Sequence, residues 1–356
     1  MNRSVIQTLS KGAFIAIIMM IMWACNNPQK ESNTSKVPEK EIEAMQSEND
    51  LLAGFHDAIC YSGFRKGQHP DRGEGAKNPT DEQVLEDLNI IANDMGINLI
   101  RVYDCGENSQ TVLQIIREEK MDIKVMLGIW LKAELSAHET CAWLTEPIPQ
   151  EILDKNTIAN KEELDRGIML ANEYKDIIVA VNVGNEALVE WNDHMVDVDT
   201  IIGYCNYVKS NIAQPVTVAD NYDWWANHGA NLATHLDFIS IHTYPIWEGR
   251  DIDEGLSYTI ENVEKVRKAI PDAKIVISEA GWATTAVEFG ERASEEKQKR
   301  YNTELMNWAT ENNVTTFLFE AFDEPWKGET GNPDGAEKHW GIYFEDRTPK
   351  LYMRDR

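Results

Sequence analysis

From Gly54 onward the chain alternates between two hydrophobic patterns. Short runs rich in β-branched residues recur near 57–62, 97–103, 123–130, 177–183, 214–219, 237–242, 274–279 and 315–321. Each is apolar at successive positions rather than at every second one, which predicts strands covered on both faces, as in a parallel sheet. Between them the period lengthens to that of a helix. Thr80 and Gln83 make a capping box, after which Val84, Leu88, Ile91 and Met95 recur at spacings of three and four. Leu256, Ile260, Val263, Val266 and Ile270 draw the same stripe before the seventh run, and Leu305 and Trp308 mark another before the eighth. Eight strand–helix units over roughly 300 residues predict an α/β fold, a single (β/α)8 TIM barrel. The last unit is the weakest: the sequence after the eighth run is rich in Gly, Pro and charge, so the closing helix near Lys350 is expected to be short or missing. An open doubly wound sheet has the same strand count, and counting does not decide closure.

The barrel pattern starts well inside the chain. Arg3 and Lys11 precede an uncharged run from Ala13 to Ala24, too short to cross a bilayer comfortably but of the length of a signal-peptide apolar region. It ends in Met22-Trp23-Ala24-Cys25, which resembles a bacterial lipobox with Met22 in place of the usual Leu. That resemblance implies a lipoprotein signal peptide over 1–24 and lipidation of Cys25; a plain secretory signal or an uncleaved anchor stays open. Gln29 to Asp50 is polar and charged with almost no aromatic content, which reads as a flexible tether. The expected plan is therefore a signal over 1–24, lipidated Cys25 and its tether over 25–50, and the barrel over 51–356. The expected location is the bacterial cell envelope, exported and lipid-anchored at the outer membrane or cell surface.

Composition narrows the partners. Lys and Arg total 34 against 60 Asp and Glu, a net charge of −26 that disfavours nucleic acid and anionic polysaccharide. A neutral ligand such as an uncharged glycan fits better, although the acidity reads equally well as a solubility adaptation. Cys60, Cys105, Cys141 and Cys205 are too few and too widely spaced for a disulfide framework; a Cys60–Cys105 bridge stays open beside the reading of buried free thiols. The eight histidines form no His-Glu-x-x-His helix, and no phosphate-cradling glycine loop is present. No metal and no cofactor is expected, and the protein is expected to be a monomer.

Against that background two glutamates stand out. Val183-Gly184-Asn185-Glu186 and Ile277-Ser278-Glu279-Ala280-Gly281-Trp282 each place a glutamate at the end of an apolar strand, the fourth and the seventh. In a barrel of this kind the carboxyl ends of the strands gather at one mouth, where active sites lie. Two carboxyl groups about 5 Å apart there are what glycoside hydrolysis with retention requires, one protonating the leaving oxygen and one attacking the anomeric carbon. Gly184 and Gly281 beside them are expected to leave room for a ligand.

These motifs resemble those of clan A glycoside hydrolases, and in detail those of family 17, the β-1,3-glucanases and related glucosyltransferases. The resemblance rests on Arg101-Val102-Tyr103-Asp104, Gly184-Asn185-Glu186, Ser278-Glu279-Ala280-Gly281-Trp282, Phe319-Glu320-Ala321-Phe322-Asp323-Glu324-Pro325-Trp326-Lys327 and His339-Trp340-Gly341-Ile342-Tyr343. It spans about residues 54–350, except that Leu131 to Asn160 has no counterpart. It implies Glu186 as general acid/base, Glu279 as nucleophile, and Asn185 as a hydrogen-bond partner of the sugar 2-hydroxyl. Arg101 supplies positive charge near the pair, or an internal salt bridge. Tyr103 is a supporting residue. Tyr244, in His242-Thr243-Tyr244-Pro245, either donates to Glu279 or packs at the rim. Asp323 and Glu324 are expected at glucose hydroxyls, with Glu324 alternatively paired to Lys327.

Eleven tryptophans are many for this length, and indole faces stack on sugar rings. Trp130, Trp191, Trp224, Trp225, Trp247, Trp282 and Trp326 fall in predicted strand-end loops, and Trp282 is the foremost candidate platform. The activity implied is cleavage of neutral β-1,3-glucan with retention. A transglycosylase using the same carboxylates, and a glycan-binding lipoprotein on an inactive barrel, are the alternatives.

Overall fold

The computed structural model describes residues 57–71, 73–354 and 356; the signal segment 1–24, Cys25 and the tether lie outside them. Among the described residues, eight parallel strands close into one barrel in sequence order. They are β1 (Asp57–Cys60), β2 (Leu99–Val102), β3 (Lys124–Ile129), β4 (Ile178–Asn185), β5 (Val216–Asn221), β6 (Ile239–Thr243), β7 (Ile275–Ala280) and β8 (Thr316–Leu318). β8 pairs back onto β1, with Phe317 opposite Ala58, which removes the open sheet from consideration. The strands are buried almost throughout, as their unbroken apolar runs require.

The crossover helices follow their stripes. In α1 (Asp81–Asn89) the Thr80 hydroxyl accepts from the Gln83 amide and the Gln83 side chain accepts from the Thr80 amide, closing the capping box. Val84, Leu88, Ile91 and Met95 are all buried, the last two in and just after a π-helical turn over Ile90–Asp94. The further helices that cover strands are α2 (Glu107–Glu118), α3 (Gln150–Glu173), α4 (Val198–Lys209), α5 (Tyr222–His228), α6 (Ala230–Ala233), α7 (Ile252–Ala269) and α8 (Glu295–Glu311). The unmatched stretch from Leu131 to Asn160 becomes a loop up to Pro149 and the first turns of α3.

β8 is shorter than its apolar run because the chain past Leu318 divides its bonds: Phe319 N donates to Ala280 O at 2.8 Å and Ala321 N to Cys60 O at 3.0 Å on the neighbouring strands, while Glu320 N donates to Trp340 O at 3.2 Å, Tyr343 N to Ala321 O at 3.0 Å and Asp323 N to Tyr343 O at 3.0 Å in the C-terminal segment. Gly341 is required there, since a Cβ on it would lie 2.2 Å from the Asp323 nitrogen. A four-residue helix, α9 (Leu351–Arg354), ends the unit. The same strap is clamped to α1 by Asp87, wholly buried, which accepts from Arg347 at 2.7 and 2.8 Å, from Arg65 at 2.7 Å and from the Tyr61 hydroxyl at 3.2 Å. Cys60, Cys105, Cys141 and Cys205 are buried free thiols, and no Cys60–Cys105 bridge forms.

Candidate active site

Glu279 is the second-last residue of β7, and its register partner on β6 is His242. Glu186 follows the last residue of β4 with its backbone in the left-handed region, φ +47°, after Gly184 at φ +82°. That conformation costs a non-glycine residue of the order of 1 kcal/mol and persists where its surroundings fix it. Here the Glu186 amide donates to Ala219 O at 2.9 Å on β5, and the Asn192 amide donates back to Glu186 O at 3.1 Å. The chain is thereby turned so that the carboxyl faces β6 and β7.

His242, wholly buried, lies between the two carboxyls. Its Nδ1 is 2.9 Å from Glu186 Oε1 and its Nε2 is 3.4 Å from Glu279 Oε1. Arg101 Nη1, which can only donate, is 3.3 Å from Nε2, so in the neutral ring Nε2 accepts and the Nδ1 proton is offered to Glu186. One side-chain ligand atom from each of Glu186, His242 and Glu279 falls within 4.8 Å of the others. The trio is the one acidic and imidazole cluster among the described residues with a metal-like spacing. Arg101 already places its charge 2.6 Å from Glu279 Oε1, which opposes a second cation at that oxygen.

The surroundings of the two carboxyls differ sharply. Glu279 is nearly enclosed: Oε1 receives Arg101 at 2.6 Å and the Tyr103 hydroxyl at 3.0 Å, and Oε2 receives the Tyr244 hydroxyl at 2.5 Å. Burial works against its ionisation. It is outweighed by the charge His242 carries once protonated, by Arg101, by the Tyr244 hydroxyl and by Lys327, and the carboxyl is held below the ordinary glutamate range. Burial, reinforced by the negative charge of Glu279, pushes the Tyr244 phenol well up, so it keeps its proton to donate. Glu186 is more open, its side chain 24% exposed, and besides His242 it meets Asn192 Nδ2 at 3.4 Å from Oε2. Arg101 ties the set together, its other nitrogen Nη2 donating to Asn185 Oδ1 at 2.6 Å. The site thus holds one carboxylate kept ionised and one more accessible carboxyl, with oxygens of the two within 4.8 Å of each other.

Lys327 enters from the loop after β8 and pairs with Glu320 at 2.8 Å and with Glu324. Burial and the neighbouring Glu324 push the Glu320 carboxyl well up, whereas Lys327 overcomes burial to hold Glu324 below its usual range. The expectation of glucose contacts is corrected here for two residues, and for Glu324 the alternative, a pair with Lys327, is the one found. Glu324 is wholly buried, taken up by Lys327 and by the Trp326 indole at 2.9 Å, and Asp323 is taken up by Lys350 at 2.6 Å and the Gly341 amide at 3.0 Å. Neither carboxylate is free for a glucose hydroxyl.

Trp282 is the third correction. It is fully buried between Gly255 of α7 and Tyr301 of α8, its indole donating to Arg292 O at 2.8 Å, so it is a helix-layer residue rather than a sugar platform. Trp225 is likewise buried, donating to Ser240 O at 2.9 Å. Nor does Gly281 leave room for a ligand: a Cβ there would stand 2.2 Å from Phe319 O, so the glycine admits the β8 backbone. Trp130, Trp224 and Trp326 are half-buried, and Trp191 and Trp247 are exposed. Sequence reasoning passed over His242, Glu320, and Glu337, whose carboxyl senses Lys327, Glu186 and Glu279 and is pushed up by burial. The signals were His242 beside Tyr244, and Glu320 four residues before Glu324.

Residues 58–341 match the family model described as the BtgE/BtgC glycoside hydrolase domain. A curated relative from Aspergillus niger, provisionally named glucan endo-1,3-beta-glucosidase btgC, is 27% identical over 298 residues, 76% of this chain and 40% of its own length. The chain therefore spans well under half of that relative. One from Arthroderma benhamiae, named glucan 1,3-beta-glucosidase, is 26% identical over 71% of this chain and 78% of its own. Among solved structures, an endo-laminarinase from Formosa superposes with a TM-score of 0.74 at 25% identity, covering 87% of this chain and 88% of that one. A family 17 beta-1,3-glucanosyltransferase from Rhizomucor miehei does so with 0.63 at 23% identity, covering 84% and 96%, a likeness of fold.

Proposed function

The chain belongs to the BtgE/BtgC glycoside hydrolase family, and from that premise we propose that it cleaves neutral β-1,3-glucan with retention of anomeric configuration. The observation that carries the mechanism is the approach of Glu186 and Glu279 oxygens to within 4.8 Å, with Glu279 held ionised. A separation of about 5 Å leaves no room for water behind the sugar and places a carboxylate at the anomeric carbon instead. Glu279 attacks that carbon while Glu186 gives its proton to the departing glycosidic oxygen; the C–O bond breaks and a glucosyl ester forms. Glu186, now ionised, takes a proton from water, whose oxygen displaces Glu279 and restores both groups. Asn185, fixed by Arg101, is the donor for the sugar 2-hydroxyl. The names of the Aspergillus niger and Arthroderma relatives and of the Formosa structure support the substrate.

The test is laminarin hydrolysis by residues 51–356, followed by the anomeric form of the first product, with Glu186→Gln and Glu279→Gln alongside. Undiminished turnover in either variant refutes the assignment, and an inverted product refutes the mechanism. Transfer to a sugar in place of water uses the same two groups and is recognised by products longer than the substrate. Glycan binding without turnover in the unaltered protein would favour the inactive-barrel reading.

The proposal extends to location. Export and lipid anchoring through Cys25 at the bacterial envelope rest on the apolar run from Ala13 and on Met22-Trp23-Ala24-Cys25. Retention of a Cys25→Ala variant in the membrane fraction would refute anchoring. Sedimentation at working concentration tests the monomer.

A further inference from the structure

We propose that Trp143 and Trp191 form a sugar-stacking shelf on the leaving-group side of the cleft, occupied by the glucan segment that departs on cleavage and by an acceptor glucan thereafter. The proposal rests on the reading above. Both indoles stand in water, Trp143 61% and Trp191 46% exposed, although burying such a ring is among the larger apolar gains a chain has available. They lie on the loops after β3 and β4, and those loops are fastened into one body. Glu134 N and Leu135 N both donate to Met195 O, at 2.9 and 3.0 Å, and the Thr140 hydroxyl donates to Glu190 O at 2.5 Å.

The shelf is wired to the catalytic side of β4. The Asp193 carboxylate is 3.0 Å from His194 Nδ1 and is held below its ordinary range by that imidazole and, more weakly, by the neighbouring Trp143. His194 Nε2 is 2.8 Å from the carbonyl of Asn185, and the imidazole lies 4.6 Å from the Trp130 ring at 33°. Trp191 immediately precedes Asn192, whose amide reaches both the carbonyl and the carboxyl of Glu186. Chemistry then assigns the side. The group that protonates the glycosidic oxygen faces the departing sugar, and the group that attacks carbon faces the sugar retained. Residues continuous with Glu186 therefore line the path of the departing chain. Asp193 and Glu190 beside the indoles disfavour an anionic sugar and suit a neutral one.

The experiment compares Trp143→Ala, Trp191→Ala and the double variant with the unaltered protein on a long laminari-oligosaccharide and on an aryl β-laminaribioside, whose leaving group ends before the shelf. Stacking contributions of this kind predict that the preference for the long substrate falls about 2- to 10-fold per indole, mostly through KM, and that the elongated fraction of products falls with it. Unchanged thermal unfolding of the variants separates this from misfolding, and binding of the oligosaccharide to the double variant in a Glu186→Gln background reads the shelf without turnover. Equal losses on both substrates, or an unaltered preference in the folded double variant, overturn the shelf while leaving the hydrolase reading intact. If the unaltered protein neither binds nor cleaves laminari-oligosaccharides, the underlying reading fails and the shelf with it.

Discussion

Replacing Tyr244 by Phe removes one hydroxyl and isolates its effect on Glu279. The ring itself stays supported, since it packs edge-on against Phe319 at 5.6 Å and Trp340 at 5.0 Å, so the variant is expected to fold. What changes is Glu279 Oε2, whose hydrogen bond is the 2.5 Å contact from Tyr244, whereas Oε1 keeps Arg101 and Tyr103. A hydrogen bond to a charged group contributes about 1.5–3 kcal/mol, and one pKa unit corresponds to about 1.4 kcal/mol. The Glu279 carboxyl is held below its ordinary range in the folded protein, so losing a donor raises it. In its proposed role as nucleophile Glu279 must be ionised, so the acidic limb of kcat/KM moves up toward neutrality, and at low pH the variant loses more activity than at pH 7. The assay is kcat/KM for laminari-oligosaccharide cleavage across pH 3–8 for both proteins. An acidic limb that does not move, whatever the fall in rate, refutes the claim that Tyr244 holds Glu279 ionised.

Asp87→Ala leaves Arg347 and Arg65 facing an empty buried site; a loss of about 3–5 kcal/mol, read by denaturant unfolding, is expected because breaking a buried pair strands its partner. Trp282→Ala opens a cavity in the helix layer and costs about 3–5 kcal/mol of stability, with KM for glucan moving little in the protein that remains folded. Lys327→Met leaves Glu320 and Glu324 buried together without their cation. Both carboxyls are then raised above their unfolded values, so they hold protons more tightly when folded; the penalty is least at low pH and grows as pH rises through about 4–7, and a melting temperature that rises over that range relative to the unaltered protein would contradict it.

The barrel was legible because its strands are buried on both faces, so their signal is composition over a short window rather than a delicate period. The paired glutamates were legible for a related reason: each stands where an unbroken apolar run stops. Trp282 shows where the same logic fails. Side chains alternate along a strand, and Glu279 points into the barrel mouth. Trp282, three positions on, faces the opposite way, into the gap between α7 and α8, and proximity in sequence to a catalytic residue is then an argument against proximity in space. His242 was missed for the converse reason. It closes the sixth run without a carboxylate to mark it, and only the register of β6 against β7 puts it opposite Glu279. Asp323 was misread because its partners, Lys350 and the Gly341 amide, come from a strap 18 to 27 residues further on, and a sequence does not display that fold-back, whereas the pairing of Glu324 with Lys327, three residues on, was legible.

In the proposed mechanism the two glutamates divide their work through solvent access and donors, not through residue type. Glu279 meets two tyrosine hydroxyls and an arginine inside a nearly closed pocket, and all three donate to it and favour the charged form. Such a group attacks carbon well and protonates oxygen poorly. Glu186 sits at the open edge on a left-handed backbone, with one imidazole and one side-chain amide within hydrogen-bond reach of its carboxyl. His242 couples them. When Glu279 becomes an ester it loses its negative charge, and the imidazole and Arg101 lose the anion they faced. At the same moment Glu186 has given up its proton, and its negative charge stands 2.9 Å from His242 Nδ1, which offers it a proton. The negative charge is thus on the Nε2 side of the ring before the ester forms and on the Nδ1 side after it.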